Sequence, residues 1–209
     1  MNQQREFTKT LSRWYETNGR SFPWRVKGLP LYRVLVTEIL LWKTRVETIA
    51  DFYHRFFEIY PDEKSLAASS LEEITRIIQP LGLQNRRAKT LKQVAENINK
   101  GKIMDERSFR KTFGVGQYIA RATLAFHYGV QVIPVDENVK RLLGRVFGFN
   151  IKNIRSISRD EDIFLSRLIP EELDKMIWAI IDYSSITCTR NNPACHDCIF
   201  NNYCAYLSR

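Results

Sequence analysis

Apolar residues recur at helical spacing along almost the whole chain, and the two-residue alternation of a half-buried β-strand is essentially absent. Within residues 6–18, for example, Phe7, Leu11 and Trp14 share one stripe, and residues 85–99 repeat the pattern. This periodicity predicts an all-α fold. The predicted helices span 6–18, 31–41, 85–99, 105–111 and 116–128, with others starting at Thr44, Ser70, Asp136 and Pro170.

Capping signals place several of these helix starts. Thr44–Glu47 and Ser70–Glu73 have the form of a capping box, in which a hydroxyl residue precedes a glutamate by three positions. Pro170, followed by two glutamates, is predicted to occupy the first helical position, where a missing N–H costs nothing. The helix that begins at Thr44 is predicted to end before Pro61.

Length and charge narrow the class of protein. The 209 residues allow one compact domain or two small ones, and the chain has no uncharged apolar run long enough to span a membrane and no secretory signal. We therefore expect a cytoplasmic protein, nucleoid-associated in a prokaryote, with no membrane partner. The net charge of +9 favours a polyanionic partner such as nucleic acid, although a merely soluble basic protein has the same balance.

The four cysteines lie together near the C-terminus with the spacing C-x6-C-x2-C-x5-C. Four thiols within 17 residues indicate a metal site in a reducing compartment. A structural zinc site usually has two C-x-x-C knuckles, but only one is present here, so the spacing favours a [4Fe-4S] cluster and leaves zinc as the alternative. His196 is interpreted as a surface residue. The predicted ligands are Cys188, Cys195, Cys198 and Cys204.

A glycine-rich turn, Gly114–Gly116, separates two short predicted helices. Glycine permits a positive φ, so the chain can reverse tightly, and the amides of the next helix then point outward. A helix N-terminus of this kind can hold a DNA phosphate without reading sequence. By itself the motif is weak, because many helix connections contain glycine.

Three motifs in this order carry a resemblance to a known family: Gly114-Val115-Gly116-Gln117-Tyr118, then Pro134–Arg141, then the four cysteines. The combination, which extends from Phe22-Pro23-Trp24 to Cys204, resembles the helix-hairpin-helix DNA glycosylases of the endonuclease III superfamily. The resemblance implies an enzyme of base excision repair that flips a base out of double-stranded DNA and hydrolyses its N-glycosidic bond.

The resemblance also implies two helical domains. A six-helix barrel is expected over residues 23–129, with the helix-hairpin-helix motif at about 105–128. The iron–sulfur cluster domain is expected to be discontinuous and to comprise residues 1–22 and 130–209. A monomer is expected, with a monovalent cation at the hairpin as a further cofactor.

Three residues match catalytic positions of the family. Asp136 corresponds to the catalytic aspartate; its other role is a helix N-cap, where backbone amides favour the carboxylate anion that can stabilise a cationic sugar. Tyr118 stands where bifunctional members carry a Schiff-base lysine, and a phenol cannot form an imine. The resemblance therefore implies a monofunctional enzyme without strong lyase activity. Glu38, among apolar neighbours, matches the glutamate that faces the flipped base.

The DNA contacts implied by the resemblance lie in the hairpin, in the segment after the Glu38 helix and in the loop before residue 88. Trp42 is unusual in a segment that should enter the duplex near the lesion, where it can wedge between bases or stack on one. Arg86, Arg87, Lys140 and Arg141 are expected to add positive charge. The DNA-binding residues are predicted to be Gly114, Val115, Gly116, Gln117, Trp42, Lys43, Gln84, Asn85, Arg86 and Lys140.

The target base follows from finer similarities. The segments Gly82–Asn85 and Asp182–Ile186 are similar to those of the thymine mismatch glycosylases, and Tyr118 agrees with them. The chain stops soon after Cys204, without the C-terminal domain that adenine glycosylases of the MutY type use to recognise 8-oxoguanine. The expected substrate is thymine or uracil opposite guanine, and an adenine glycosylase is the main alternative.

Some positions depart from the family pattern. The hairpin reads Thr112-Phe113-Gly114 where the family usually has Leu-Pro-Gly, and Ile119 replaces the usual threonine. These changes leave open a glycosylase with a narrower target, including one attached to a restriction–modification system. Two other classes also remain: a non-catalytic DNA-binding protein that contains a cluster, and a structural protein stabilised by zinc.

Overall fold

The computed structural model describes residues 2–102, 106–169 and 172–208, and the regular structure of these residues is helical, without a strand. The predicted all-α class is therefore confirmed for this part of the chain. The helices are α1 Asn2–Asn18, α2 Leu31–Leu41, α3 Val46–Ile59, α4 Glu63–Ala68, α5 Leu71–Ile78, α6 Gln84–Asn99, α7 Glu106–Lys111, α8 Gln117–Phe126, α9 Glu137–Phe147, α10 Arg159–Ser166 and α11 Leu173–Ile186, with 3-10 turns at Gln79–Leu81 and Asn201–Tyr203.

The chain divides into two compact units. The hairpin unit comprises Ser21–Tyr128 and contains α2 to α8. The cysteine unit comprises Met1–Arg20 together with Gly129–Arg209 and contains α1 and α9 to α11. Each unit has its own apolar core. No helix among the described residues combines the length and apolar character needed to cross a membrane.

The core of the hairpin unit is built around α2 and α6. Helix α2 packs against α3, α6 and α8, while α6 also contacts α4 and α5. Leu35, Val36 and Ile39 of α2 are fully buried, as are Leu91 and Val94 of α6. Because α2 and α6 are covered on several sides, both helices are held at fixed positions beneath the loops that follow and precede them.

In the cysteine unit, the first helix of the chain packs against the last. Helix α1 contacts α11, and the ring of Trp14 meets that of Tyr183 edge to face at 4.9 Å between centroids. Just after α1, the Arg20 side chain binds Asp182 Oδ1 through Nε at 2.8 Å and Nη2 at 2.7 Å. Asp182 is fully buried, so this paired contact fastens the N-terminal segment to α11.

One of the predicted helix starts is wrong, and another falls outside the described residues. The N-cap of α3 is Arg45 and not Thr44, because the Thr44 hydroxyl is used elsewhere: it donates to the Leu81 carbonyl at 3.3 Å and accepts from Arg87. Helix α11 begins at Leu173 with Glu172 as its N-cap, so the helix starts after the position predicted for proline. Pro170 itself lies outside the described residues.

The structure confirms the cap at Ser70, whose hydroxyl accepts from Glu73 N–H at 3.1 Å. It also adds two helices that the periodicity did not reveal, α4 and α10, both of them short. Each begins with a capping box, one from Asp62 and Ser65 and the other from Ser158 and Glu161. The box of α10 has the hydroxyl-to-glutamate pattern and was visible in the sequence, whereas that of α4 ends in a serine and does not follow the pattern.

Candidate functional site

The turn between α7 and α8 requires a glycine at position 114. Gly114 has a φ of +79°, in the left-handed region that L-residues avoid. A Cβ at this position would also press against the Thr90 side chain, 2.9 Å from its Cγ2. The close approach of the turn to α6 thus depends on the missing side chain.

Gly116, two residues later, has no such requirement from within the protein. Its φ of −85° is open to any residue, and a Cβ added there would meet no heavy atom within 4 Å. Gly116 is the exposed N-cap of α8, and no side chain caps the helix there. A glycine that the fold does not need, at the start of a helix, fits close approach by a phosphate backbone.

Side chains of α6 fasten the turn. Asn97 Nδ2 donates to Thr112 Oγ1 at 3.2 Å, and the Phe113 N–H donates to Gln93 Oε1 at 3.3 Å. Among the predicted contact residues, Val115 and Gln117 are almost completely buried. Their contribution to a ligand site must therefore come chiefly from the backbone, as expected for a hairpin that grips phosphate.

A strip of alternating aromatic and cationic side chains runs from the end of α2 to this turn. The Arg86 guanidinium lies 4.6 Å from the centroid of the Trp42 ring and 5.9 Å from that of Phe113. Lys89 lies 4.8 Å from the Phe113 centroid, and 40 % of Phe113 is exposed. Exposed rings interleaved with cations are typical of surfaces that bind nucleic acid.

Sequence reasoning included Trp42 and Arg86 in the DNA surface but missed Phe113 and Lys89. The available signal was the i, i+3 spacing of Arg86 and Lys89, which places both on one face of α6. The contact with Phe113 had no sequence signal, because it depends on how the turn packs on α6.

The remaining predicted contact residues of the hairpin unit lie in the two segments on either side of Trp42 and Arg86. Lys43 is exposed and Asn85 is exposed, whereas Gln84 is half-buried. Gln84 and Asn85 line a groove of about 460 Å³ between α5 and α6. These side chains are accessible to a ligand.

Two of the three predicted catalytic residues lie on helices that pack together. Glu38 belongs to α2 and is 8 % exposed, and Tyr118 is the second residue of α8 and is half-buried. Helices α2 and α8 are in contact. The structure therefore brings the helices that carry Glu38 and Tyr118 together within the hairpin unit.

Asp136, the third predicted catalytic residue, lies in the cysteine unit as the N-cap of α9. Its Oδ1 accepts from the Val139 N–H at 2.8 Å, and its Oδ2 accepts from Asn138 Nδ2 at 3.2 Å. The predicted N-cap is confirmed. The carboxylate is half-buried, held in one orientation by these donors, and placed at the positive end of a helix.

Two arginines that were expected to hold phosphate are structural instead. Arg87 is fully buried. Arg141 donates to the Cys188 carbonyl at 2.8 Å and to the Ser184 carbonyl at 2.7 Å. Helical phase and packing turn both guanidiniums inward, whereas Lys140 stays half-buried and Arg86 exposed.

The four cysteines are unpaired and line a single cavity of about 20 Å³ in the cysteine unit. Tyr183 Oη donates to Cys198 Sγ at 3.2 Å. The pKa of the Tyr183 phenol is raised, mainly by burial and to a smaller extent by this hydrogen bond. The Phe200 N–H also donates to Cys198 Sγ, at 3.4 Å, and Arg145 Nη1 approaches Cys188 Sγ at 3.6 Å. Donors aimed at sulfur stabilise thiolates and orient them.

The thiols of this cavity are the ligand type that a four-iron cluster takes, because such a cluster is held by four cysteine sulfurs. Within the described ranges no three histidine, cysteine, aspartate or glutamate side chains form a group that holds one metal ion.

A tight glycine hairpin joined to an exposed aromatic and cationic strip defines a DNA-binding protein of the helix-hairpin-helix class. Residues 36–160, more than half of the chain, match the model of the HhH-GPD superfamily base excision DNA repair protein, and the chain belongs to this superfamily. The predicted base excision repair DNA glycosylase and its family are thereby confirmed.

Similar proteins and structures support this membership. A thymine/uracil-DNA glycosylase of Pyrobaculum aerophilum is 35% identical, over 98% of this chain and 93% of its own. The solved structure of a thermostable thymine-DNA glycosylase superimposes with a TM-score of 0.88 at 27% identity, covering 99% of this chain and 97% of that one. An adenine DNA glycosylase of Buchnera aphidicola is 30% identical over 97% of this chain but only 59% of its own.

Proposed function

We propose that the protein is a monofunctional DNA glycosylase that releases thymine or uracil from a mismatch with guanine. The observation that carries this proposal is the similarity to thymine/uracil-DNA glycosylases along nearly the full length of both chains. Tyr118 at the start of α8 and the segment Gly82–Asn85 support it. The substrate is double-stranded DNA, gripped at the hairpin and along the aromatic and cationic strip.

Asp136 is the residue that we assign to the reacting sugar. When the base departs, positive charge develops on the sugar ring, and a preorganised carboxylate stabilises it or directs the attacking water. The hydrogen bonds from Val139 N–H and Asn138 Nδ2 support this role because they fix both oxygens before the substrate arrives. No reorganisation of the carboxylate is then needed during the reaction.

Glu38 is assigned to the flipped base. Its position supports this role, because Glu38 matches the family's glutamate and lies on α2, the helix that packs against α8 with Tyr118. Glu38→Gln keeps the shape of the side chain and removes its charge and acidity. We expect normal duplex binding and slower excision, measured under single-turnover conditions.

Tyr118 determines the type of reaction in this proposal. A phenol cannot form an imine, so water attacks the sugar and an abasic site is left. Borohydride should trap no covalent adduct with the unmodified protein, and strand breakage should require alkali. In Tyr118→Lys an amine at this position can yield a trapped adduct. Trapping with the unmodified protein would overturn the monofunctional assignment.

A [4Fe-4S] cluster is the proposed cofactor, held by Cys188, Cys195, Cys198 and Cys204. Its contribution would be structural, because it would join residues on both sides of a segment without α-helix. Iron content and a visible absorption band of the purified protein test this, and stoichiometric zinc in place of iron would contradict it. The monovalent cation at the hairpin and the monomeric state also stay predictions.

The experiment that tests the substrate uses four matched duplexes containing G·T, G·U, A·G or A·8-oxoguanine, with strand cleavage scored after alkali. We expect cleavage at thymine and uracil. The second candidate, adenine glycosylase activity, is favoured by the relative that is 30% identical over this chain, and cleavage opposite 8-oxoguanine would support it. Binding to the duplexes without cleavage of any of them would favour a non-catalytic DNA-binding protein.

A further inference from the structure

The guanidinium of Arg87 is completely buried in the hairpin unit, at the first turn of α6. A guanidinium has five N–H donors, and here all five are used. Their acceptors are Ile39 O for Nε at 3.2 Å, Leu81 O at 3.0 Å and Gly82 O for Nη1, and Trp42 O at 2.6 Å and Thr44 Oγ1 at 2.8 Å for Nη2.

These acceptors belong to two segments that are separated in the sequence, the end of α2 with residues 42–44 and the turn at residues 81–82. Two of them, the Ile39 and Trp42 carbonyls, lie in the last turn and C-cap of α2, and the Ile39 carbonyl also accepts from the Trp42 N–H at 3.4 Å. Arg87 therefore satisfies backbone groups of both segments at once and ties the segments together.

Both segments contain a strained residue. Lys43 has a φ of 55° and Leu83 a φ of 52°, and they are the non-glycine residues with positive φ among the described residues. The left-handed conformation brings the Cβ of an L-residue too close to the following carbonyl oxygen and therefore costs free energy. Such strain persists only where surrounding contacts determine the conformation, and the hydrogen bonds of Arg87 begin one residue away from each strained position.

Burial without a carboxylate partner makes Arg87 an unusual choice for a core position. Its hydrogen bonds go to carbonyls and a hydroxyl, and desolvation lowers the pKa of the guanidinium. An arginine nevertheless stays charged, and its planar fork is what allows several fixed carbonyls to be reached. A lysine has three donors and no fork, so it cannot replace these contacts.

The two segments present the side chains of the aromatic and cationic strip. Arg87 holds the Trp42 carbonyl from inside, while the neighbouring Arg86 covers the Trp42 ring from outside at 4.6 Å. Consecutive arginines thus fix one tryptophan by its backbone and by its ring. The position of this exposed platform is set within the free protein.

The geometry points to Arg87 as a positioning residue that locks residues 42–44 and 81–83 into one preformed platform, so that Trp42 and Arg86 meet the duplex in the orientation that excision requires. This inference rests on the proposed glycosylase function. Arg87 touches no substrate in this scheme, and it acts through the segments that it joins.

The test compares Arg87→Lys with the unmodified protein. We expect single-turnover excision to fall by roughly tenfold to a hundredfold, because small misplacements of positioning groups cost this much. Affinity for an undamaged duplex should change by less than about twofold, since the hairpin amides remain. A 2-aminopurine placed beside the target base should show a smaller fluorescence increase, which reports reduced base flipping.

A matched control separates positioning from stability. Leu66 is fully buried in α4 of the same unit and belongs to neither segment, and Leu66→Ala should lower stability without changing excision per folded molecule. Arg87→Ala, which leaves a cavity, should recover part of its excision rate when guanidinium ion is added at a concentration that does not unfold the protein. Equal loss in Arg87→Lys and Leu66→Ala at equal stability would overturn the inference.

A readout in the free protein keeps this inference distinct from the proposed function. Hydrogen exchange at residues 42–44 and 81–86 should accelerate in Arg87→Lys while α3 and α5 keep their protection. Unchanged exchange there would overturn the positioning role whatever the protein excises. Failure of the unmodified protein to release any base would overturn the proposed function. Accelerated exchange in Arg87→Lys would even then show that Arg87 holds the two segments in place.

Discussion

The hairpin unit and the cysteine unit are stabilised in different ways. Among the residues that the structure describes, seven helices of the hairpin unit surround one apolar core, and even its glycine turn is tied to α6 by side-chain hydrogen bonds. The described part of the cysteine unit has four helices, and residues 187–208 contain a 3-10 turn but no α-helix. Of that segment, Cys188, Phe200 and Cys204 reach the core.

The difference shows how each unit holds its proposed functional residues in place. In the hairpin unit, packing and buried hydrogen bonds hold the proposed DNA surface. The cysteine unit holds Asp136 on a well-capped helix, and we expect its C-terminal segment, which contains no α-helix over residues 187–208, to gain order from the proposed cluster. The following substitutions test this contrast, in order of decreasing effect.

The largest effect is expected from Cys198→Ser. Loss of one ligand of the proposed cluster should remove nearly all bound iron and abolish hydrogen-exchange protection in residues 187–208, while α2 and α6 keep theirs. His196→Ala is the matched control in the same loop, because His196 is exposed and pairs with Asp197. Iron loss in the histidine variant, or full protection in the cysteine variant, would contradict the contrast.

Asp136→Asn should reduce base release by about a hundredfold or more, because it removes charge stabilisation that is needed only in the transition state. Asparagine is also a good N-cap, so thermal stability should change little. The control is Ser158→Ala, which removes the cap of α10 in the same unit and should cost about 1 kcal/mol of stability without slowing excision. Near-normal excision by a folded asparagine variant would remove Asp136 from the reaction.

Two glycines of the hairpin form an internal comparison. Gly114→Ala should destabilise the hairpin unit by about 2 kcal/mol, from the positive φ and the contact with Thr90. Gly116→Ala should leave stability unchanged and weaken all duplexes several-fold, because its methyl group would stand between the α8 amides and a phosphate. Thermal unfolding and duplex titration measure the two effects, and a destabilised Gly116→Ala variant would refute this division.

The smallest effects are expected from single surface cations. Arg86→Ala should weaken duplex binding a few-fold and reduce the slope of log affinity against log salt by about one. Lys64, exposed on α4 and outside the strip, serves as the control and should show neither change when replaced by alanine. If only one mismatch lost affinity in Arg86→Ala, a general phosphate contact would be the wrong role.

Helical periodicity alone was sufficient to predict the all-α class and most helices, because a long stripe of apolar residues at helical spacing can be buried on one face only if the segment is a helix. It failed for α4 and α10, whose few apolar residues form no stripe, although the capping box of α10 is visible in the sequence. It also misplaced the cap at Thr44, where a hydroxyl that suits a helix start is bound by Arg87 instead. Local preference yields when a tertiary partner offers a better hydrogen bond.

At the site, too, the sequence predicted some features and the packing of the fold decided others. The order of motifs along the chain determined the family, the candidate Asp136 and the four cysteines. Arg86 and Arg87 are identical in type and adjacent in sequence, yet one covers the Trp42 ring at the surface and the other is buried beneath it. Likewise, Gly114 and Gly116 cannot be distinguished from the sequence, but only at Gly114 would an added Cβ collide with a neighbouring side chain. The phase of α6 and its distance from the turn decide these roles, and both follow from packing among residues far apart in the chain.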